Sequence, residues 1–381
     1  MKPAIRKMPV IINIVLFFGT VALLFFATVL SHKSDFSELE NRYLASAPDI
    51  SVKNWFSGDY SVDLSEYAKD HFVLRSRWIS LRTDLERLSG HDEVSGVYFS
   101  NGSLYEAAEA IDYGRIDRSV AAINSFGEAL GGRLSVMIVP TSAQIYADLL
   151  PSYSPDQEQR RMINYVYSEL NDGIQAVDVY DALYKSRGDY IYYRTDHHWT
   201  TYGAYIAYSA CVRRFGYSPV SLDKIDIEHA SHSFFGSYYS KIITDEIEPD
   251  VVDIYSSGGA AVSSVKITGA DGNTTERTSM YFREYLERKD KYLCFLGENV
   301  PLIEITSDAG GGSILVVKDS YANCFAPFLT KHFSNVTVVD LRYMMRLSDY
   351  VDVSEFDRVL ILYNASTFAS DGNIVKLSGE N

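Results

Sequence analysis

Arg194-Thr195-Asp196-His197-His198-Trp199-Thr200 places an acid two positions ahead of a histidine, and Lys318-Asp319-Ser320-Tyr321 follows far downstream. A carboxylate that accepts an imidazole N–H fixes which ring nitrogen serves as base, and a serine hydroxyl needs such a base to act as a nucleophile at neutral pH. In an extended segment, side chains at i and i+2 leave the same face. Asp196 is therefore expected beside His198, with His197 pointing the other way. If the fold brings Ser320 to His198, the chain holds a Ser-His-Asp triad suited to acyl transfer or ester hydrolysis. An oxyanion needs preorganised donors, for which the candidates are the Ser320 N–H, Asn364 and Asn323. Tyr321, Arg194 and Trp199 are further candidates for touching a substrate.

Each of these residues also has a plainer use. Asp319-Ser320 suits the N-terminus of a helix. Asp196 and His198 suit a structural hydrogen-bonded pair, or two ligands of a metal together with His197, to which His229 and His232 would add donors at i, i+3. No zinc-type cysteine pattern or His-Glu-x-x-His accompanies them, so neither a metal nor a cofactor is expected. Trp199 suits packing, and Arg194 suits a salt bridge to a nearby acid.

The elements that must position these residues are short β-branched runs separated by helix-length segments, the pattern of a mostly parallel sheet with crossover helices. The strands are 134–139, ended by Pro140, then 176–179, 313–317, 336–339 and 358–363. Helices are expected over 59–88, closed by Gly90, over 160–170, and over 202–215, capped by Thr200 or Thr201 and closed by Gly216. Val97 to Phe99, Asn101-Gly102 and Leu104-Tyr105 read as a hairpin. Residues 217–313, with turns at Gly258-Gly259, 269–275 and 310–312, read as an insertion packed beside the core. Pro327 implies that the helix after Ser320 is kinked or starts late. In open α/β sheets ligands bind beyond the carboxyl ends of the strands, and both Ser320 and Asn364 fall there.

Residues 8–30 are almost wholly apolar, long enough for a bilayer core that takes about 20 residues of helix. Lys2, Arg6 and Lys7 precede them and Asp35, Glu38 and Glu40 follow, which puts residues 1–7 in the cytoplasm and the rest outside. A cleaved signal peptide is the rival reading, but Ala27-Thr28-Val29 and Val29-Leu30-Ser31 are poor small-x-small cleavage sites. The expected organisation is a tail (1–7), a transmembrane anchor (8–30), a juxtamembrane stalk (31–51) and an extracytoplasmic domain (52–381). Three cysteines in an exported chain argue against a disulfide framework. A net charge of −15 with no basic block excludes a nucleic-acid-binding role. The 29 tyrosines suit half-buried sheet and helix surfaces, with stacking on sugars as a second use.

The Arg194–Thr200 run with Thr201-Tyr202-Gly203-Ala204-Tyr205 resembles the signature of the DHHW protein family. Ser37-Glu38-Leu39-Glu40-Asn41-Arg42, Phe235-Gly236-Ser237-Tyr238-Tyr239 and Lys318-Asp319-Ser320-Tyr321-Ala322-Asn323 match as well, so the likeness spans roughly residues 37–365. That family is similar to the SGNH-hydrolase-like domains of enzymes that O-acetylate alginate and other exported polysaccharides. The resemblance implies a circularly permuted SGNH-hydrolase-like α/β fold, which accommodates Asp and His ahead of Ser. It also implies a polysaccharide acceptor and a membrane-bound O-acyltransferase partner that supplies the acyl group. A carbohydrate acetyl esterase with the same triad and a non-catalytic glycan-binding or scaffold subunit of an export complex are the alternatives.

Overall fold

The computed structural model describes residues 3–40, 42–257 and 261–379; Lys2, Asn41 and the Gly258-Gly259 turn lie outside the described residues. The chain divides into two compact units, Met1–His91 with Ser240–Thr244, and Asp92–Tyr239 with Asp245–Asn381.

In the smaller unit the helix Pro3–Leu30 contains the stretch Met8–Leu30, of mean hydropathy 2.7 and with no residue of its most apolar window buried. At about 1.5 Å per residue it is long enough to cross a hydrocarbon core of about 30 Å. The expected helix over 59–88 is two helices, Asp59–Asp70 and Arg75–Leu88, parted where Leu74 takes a left-handed φ of 56°. The break turns Asp70 and Arg75 toward the Ser37–Arg42 match. Arg42 grips both Asp70 oxygens (2.5 and 2.9 Å), and Arg75 Nε meets Glu40 at 2.7 Å. The Arg42 hydrogen bonds, with burial opposing, bring the Asp70 carboxyl down to about 2.

The larger unit is built on an eight-stranded sheet. Its strands in chain order are β1 (Leu134–Val139), β2 (Gln175–Ala176), β3 (Val262–Thr268), β4 (Thr274–Arg277), β5 (Leu302–Ser307), β6 (Ser313–Lys318), β7 (Asn335–Val339) and β8 (Arg358–Asn364). They lie in the order β4-β3-β5-β7-β6-β8-β1-β2. From β7 to β2 every pairing is parallel, while β4, β3 and β5 extend the edge antiparallel. Residues 217–313 thus supply three strands of this sheet and a separate hairpin, Ile225–Phe234 with Asp250–Ser257.

Alternation along the central strands sorts their side chains into two cores. Met137, Val139, Ile314, Val316, Leu360 and Leu362 face one, whereas Val136, Ile138, Leu315, Val317, Val359 and Ile361 face the other. Both faces are covered, which is why these strands read as unbroken apolar runs rather than alternating ones. The result is a three-layer, SGNH-hydrolase-like α/β fold. One core includes the helix Thr201–Arg214, whose N-terminus is set as expected: the Thr200 hydroxyl accepts the Gly203 N–H at 3.2 Å. A side chain at Gly203 would strike the Ile191 carbonyl and Trp199, so only glycine lets this helix start against the loop before it.

Candidate active site

Two loops meet at the carboxyl edge of the sheet. The first is the turn after β6. Asp319 is buried and accepts three hydrogen bonds, from the Tyr321 N–H (2.9 Å), the Asn364 N–H (2.8 Å) and Asn364 Nδ2 (2.7 Å). Because β6 and β8 are parallel neighbours, Asn364 at the end of β8 reaches this turn directly and holds it. Burial pushes the Asp319 carboxyl up against those same hydrogen bonds. Ser320 stands half-buried at the crest. The helix that follows runs only over Ala322–Leu329 and contains Pro327, which cannot donate the next helical hydrogen bond.

The second loop joins Tyr192 to Trp199, which pair as an antiparallel bridge. It is organised by Asp250, a fully buried carboxylate that accepts the Arg194 N–H, the Thr195 N–H and the hydroxyls of Thr195 and Tyr190. Within the loop Asp196 Oδ1 accepts the backbone N–H of His198 at 2.9 Å and its ring Nδ1 at 2.5 Å. On the far side His198 Nε2 lies 2.8 Å from Ser320 Oγ. Asp196 is 4% and His198 6% exposed. Serine, imidazole and carboxylate therefore stand in one hydrogen-bonded row, assembled from segments 122 residues apart.

The pairing of Asp196 with His198 was expected, but not its cause. The segment is a turn closed by the aspartate on the N–H two residues on, not an extended strand. His197 consequently does not turn away. Its ring lies 3.8 Å from that of His198 and its Nδ1 meets Ser237 Oγ at 2.7 Å. Burial and the neighbouring His198 lower the His197 pKa. For Asp196, burial opposes ionisation, but His197, His198 and the Ser237 N–H (2.7 Å to Oδ2) outweigh it and hold the carboxyl below the usual range.

Trp199 and Tyr321 clasp the two loops together. The indole Nε1 donates to the Tyr321 carbonyl at 3.0 Å, and the Tyr321 hydroxyl donates back to the His197 carbonyl. Both side chains are fully buried, so neither is available to a substrate and each positions the other's loop. Arg194 takes the salt-bridge use: its Nη2 donates to the Pro249 carbonyl at 2.9 Å and its Nε lies 3.5 Å from Asp250, with 36% of the side chain still exposed. Asn364 has both amide hydrogens on Asp319 and Thr367 and cannot donate to an oxyanion. The Ser320 N–H finds no acceptor among the described residues, and the buried Asn323 Oδ1 has no partner. These are the uncommitted polar groups of the turn.

Three contributors were not foreseen. Tyr292 stacks on the His198 ring (centroids 3.7 Å, planes 12° apart) and its hydroxyl donates to the Ser320 carbonyl at 3.0 Å. Ser237 and Asp250 hold Asp196 and the loop around it. Ser237 and its neighbour Gly236 fall in the matched Phe235–Tyr239 run, the one sequence signal that marked the position; Tyr292 and Asp250 carried none. For a metal, Asp196, His197 and His198 each offer a ligand atom within 4.8 Å of the other two. His229 and His232 do not join them; His229 pairs with Asp253 at 2.6 Å on the hairpin. A metal ligated there would compete with the serine and the aspartate for the same imidazole.

A three-layer α/β unit that aligns a serine, a histidine and an aspartate at its strand ends holds the groups that acyl transfer and ester cleavage both require. The model of the DHHW protein family matches residues 88–339, and the chain belongs to that family. It is similar to a crystal structure of a DHHW family protein from Eubacterium siraeum (24% identity, TM-score 0.65, covering 76% of this chain and 96% of that one). It is also similar to Bacillus cereus PatB1 (20%, TM-score 0.64, 73% and 98%) and to PatB1 with a sulfonyl adduct (20%, TM-score 0.63, 73% and 97%). At these identities the likeness establishes the fold. No curated protein matches the sequence.

Proposed function

We propose that the protein is a serine-dependent O-acetyltransferase acting on an exported or cell-surface polysaccharide. The observation that carries this reading is the row Ser320–His198–Asp196, at 2.8 and 2.5 Å. Ser320 Oγ attacks the acyl carbonyl carbon while His198 Nε2 takes its proton. His198 then gives that proton to the departing alcohol of the donor, leaving an acyl-enzyme. A sugar hydroxyl enters in the second half, gives its proton to His198 and takes the acyl group, while His198 returns that proton to the departing Ser320 Oγ. Asp196 keeps His198 in the tautomer that has Nε2 free and stabilises the imidazolium. The Ser320 N–H is the first oxyanion donor, and loss of one such donor typically costs about 10²–10³ in rate.

Residues 8–30 anchor the chain, with its N-terminus in the cytoplasm and the acyl-transfer unit outside, beside a membrane-bound O-acyltransferase that hands over the acyl group. No cofactor is used. The test is to incubate the full chain in detergent with an acetyl-ester donor and an oligosaccharide, then weigh the products. Acetylated sugar that disappears in Ser320→Ala supports transfer. Acetate release without acetylated sugar reassigns the protein as an esterase, and no turnover of either kind leaves a non-catalytic subunit.

A further inference from the structure

A second feature lies at the same sheet edge. A cleft of about 330 Å³ opens among the segment Glu106–Asp112, Arg115, the Gln157–Gln159 stretch and the helix Ala365–Ser370. This is near the lower end of small-molecule pockets, roughly 300–1,000 Å³. Two of its walls are tied to the Ser320 site along the chain and by hydrogen bonds. Ala365 and Ser366 directly follow Asn364, whose amide holds the Ser320 turn. The strand Ser103–Glu106 is tied to the Asp196 loop, since the Leu104 N–H donates to the Arg194 carbonyl at 2.7 Å. The Glu106 charge accordingly reaches His197, Tyr238 and Tyr321.

The chemistry of the lining is specific. Gln157 is only 5% exposed, yet its Nε2 has no hydrogen-bond partner. A buried amide donor left unpaired costs stability unless a ligand or water completes it. Glu106 Oε2 accepts from Ser366 Oγ at 3.1 Å, which leaves its other oxygen uncommitted to Ser366. Glu109 and Asp112 are exposed, whereas the guanidinium of Arg115 is turned to the Ser370 carbonyl at 2.8 Å. Three carboxylates against one guanidinium make the cleft net negative. Exposed carboxylates at the rim, a buried unpaired amide in the wall and the half-buried methyls of Ala107 and Ala369 match the hydroxyls and C–H faces of a sugar ring.

We propose that this cleft is the acceptor subsite, and that it takes a sugar unit without a carboxylate, neutral or amine-bearing, while disfavouring uronic acids. The proposal rests on the acyl-transfer reading for its role, but not for its binding. Its test uses the full-length Ser320→Ala chain in detergent, titrated calorimetrically with a neutral hexasaccharide (chitohexaose) and with hexagalacturonate. The neutral oligomer is expected to bind and the uronate not. Gln157→Glu, which keeps the shape but removes the donor, should weaken the neutral sugar about tenfold. Asp112 caps the helix Tyr113–Glu128 by accepting the Arg115 N–H at 3.2 Å; the exposed pair Glu109→Gln with Asp112→Asn, which keeps a capping side chain, should improve uronate binding several-fold.

Equal binding of both oligomers, or a sugar affinity indifferent to all three substitutions, would overturn the proposal. Sulfonyl fluoride labelling of Ser320 in the unsubstituted chain separates the two ideas. Sugar binding without labelling keeps the cleft and removes the catalytic reading. Labelling without sugar binding does the opposite.

Discussion

Gly236→Ala tests whether the position of Asp196 governs reactivity at Ser320. The Gly236 backbone is not left-handed, so the substitution probes space alone. A Cβ there would fall well inside contact distance of Asp196 Cβ, Cγ and Oδ2. Restoring the ordinary separation of about 3.5 Å requires the carboxylate to retreat by about 1 Å. Overpacking of this kind costs about 1–3 kcal/mol of stability, and a 1 Å misplacement costs on the order of 10²-fold in rate. The assay is the rate of Ser320 modification by a sulfonyl fluoride, with the melting temperature followed in parallel. Gly310→Ala is the control, because a Cβ at Gly310 meets nothing within 4 Å. A Gly236→Ala chain that labels and melts like the Gly310→Ala control would refute the reasoning.

Tyr321→Phe deletes the hydroxyl that donates to the His197 carbonyl. Leaving that carbonyl without its donor is expected to cost about 1–3 kcal/mol, seen as a lower denaturant midpoint together with slower labelling; an unchanged midpoint would deny the clasp its role. Asp196→Asn is expected to alter the acid limb of the stability profile. Because folding holds this carboxyl below 3.8, its contribution is complete above that pH and fades as the pH drops toward the folded value. Unfolding midpoints from pH 6 to pH 3 should therefore fall less steeply in the variant, and parallel curves would count against the ionised, buried carboxylate. Dialysis against a chelator is expected to leave labelling and turnover unchanged, whereas loss restored by zinc would favour the Asp196-His197-His198 metal arrangement.

Much of the fold was readable because its signals are local. The apolar runs at 134–139, 313–317, 336–339 and 358–363 are buried on both faces, so their strand character is written in consecutive residues. The Thr200 cap and the Asn101-Gly102 turn, with φ of 49° and 70°, depend on one or two residues each. What was not readable depends on partners far away in the chain. Asp250 sits 55 residues beyond the loop whose amides it gathers, and Tyr292 reaches Ser320 across 28. The antiparallel pairing of β5 with β7 has no marker in either strand. Residue type also misled where it was ambiguous. Asn364 and Trp199 can both contact a ligand, yet each is used here to hold backbone or carboxylate. The Asp196–His198 pair was found through a strand argument that the turn replaces, since both geometries bring i and i+2 together.

The central claim is that His198 makes Ser320 a nucleophile. Treating the full-length chain with phenylmethanesulfonyl fluoride and mapping the adduct by peptide mass spectrometry tests it directly, in the natural sequence and in His198→Ala. The account predicts one dominant adduct on Ser320, slowed by roughly 10⁴–10⁶ without the imidazole. An adduct on another residue, or one formed equally fast in His198→Ala, would contradict it.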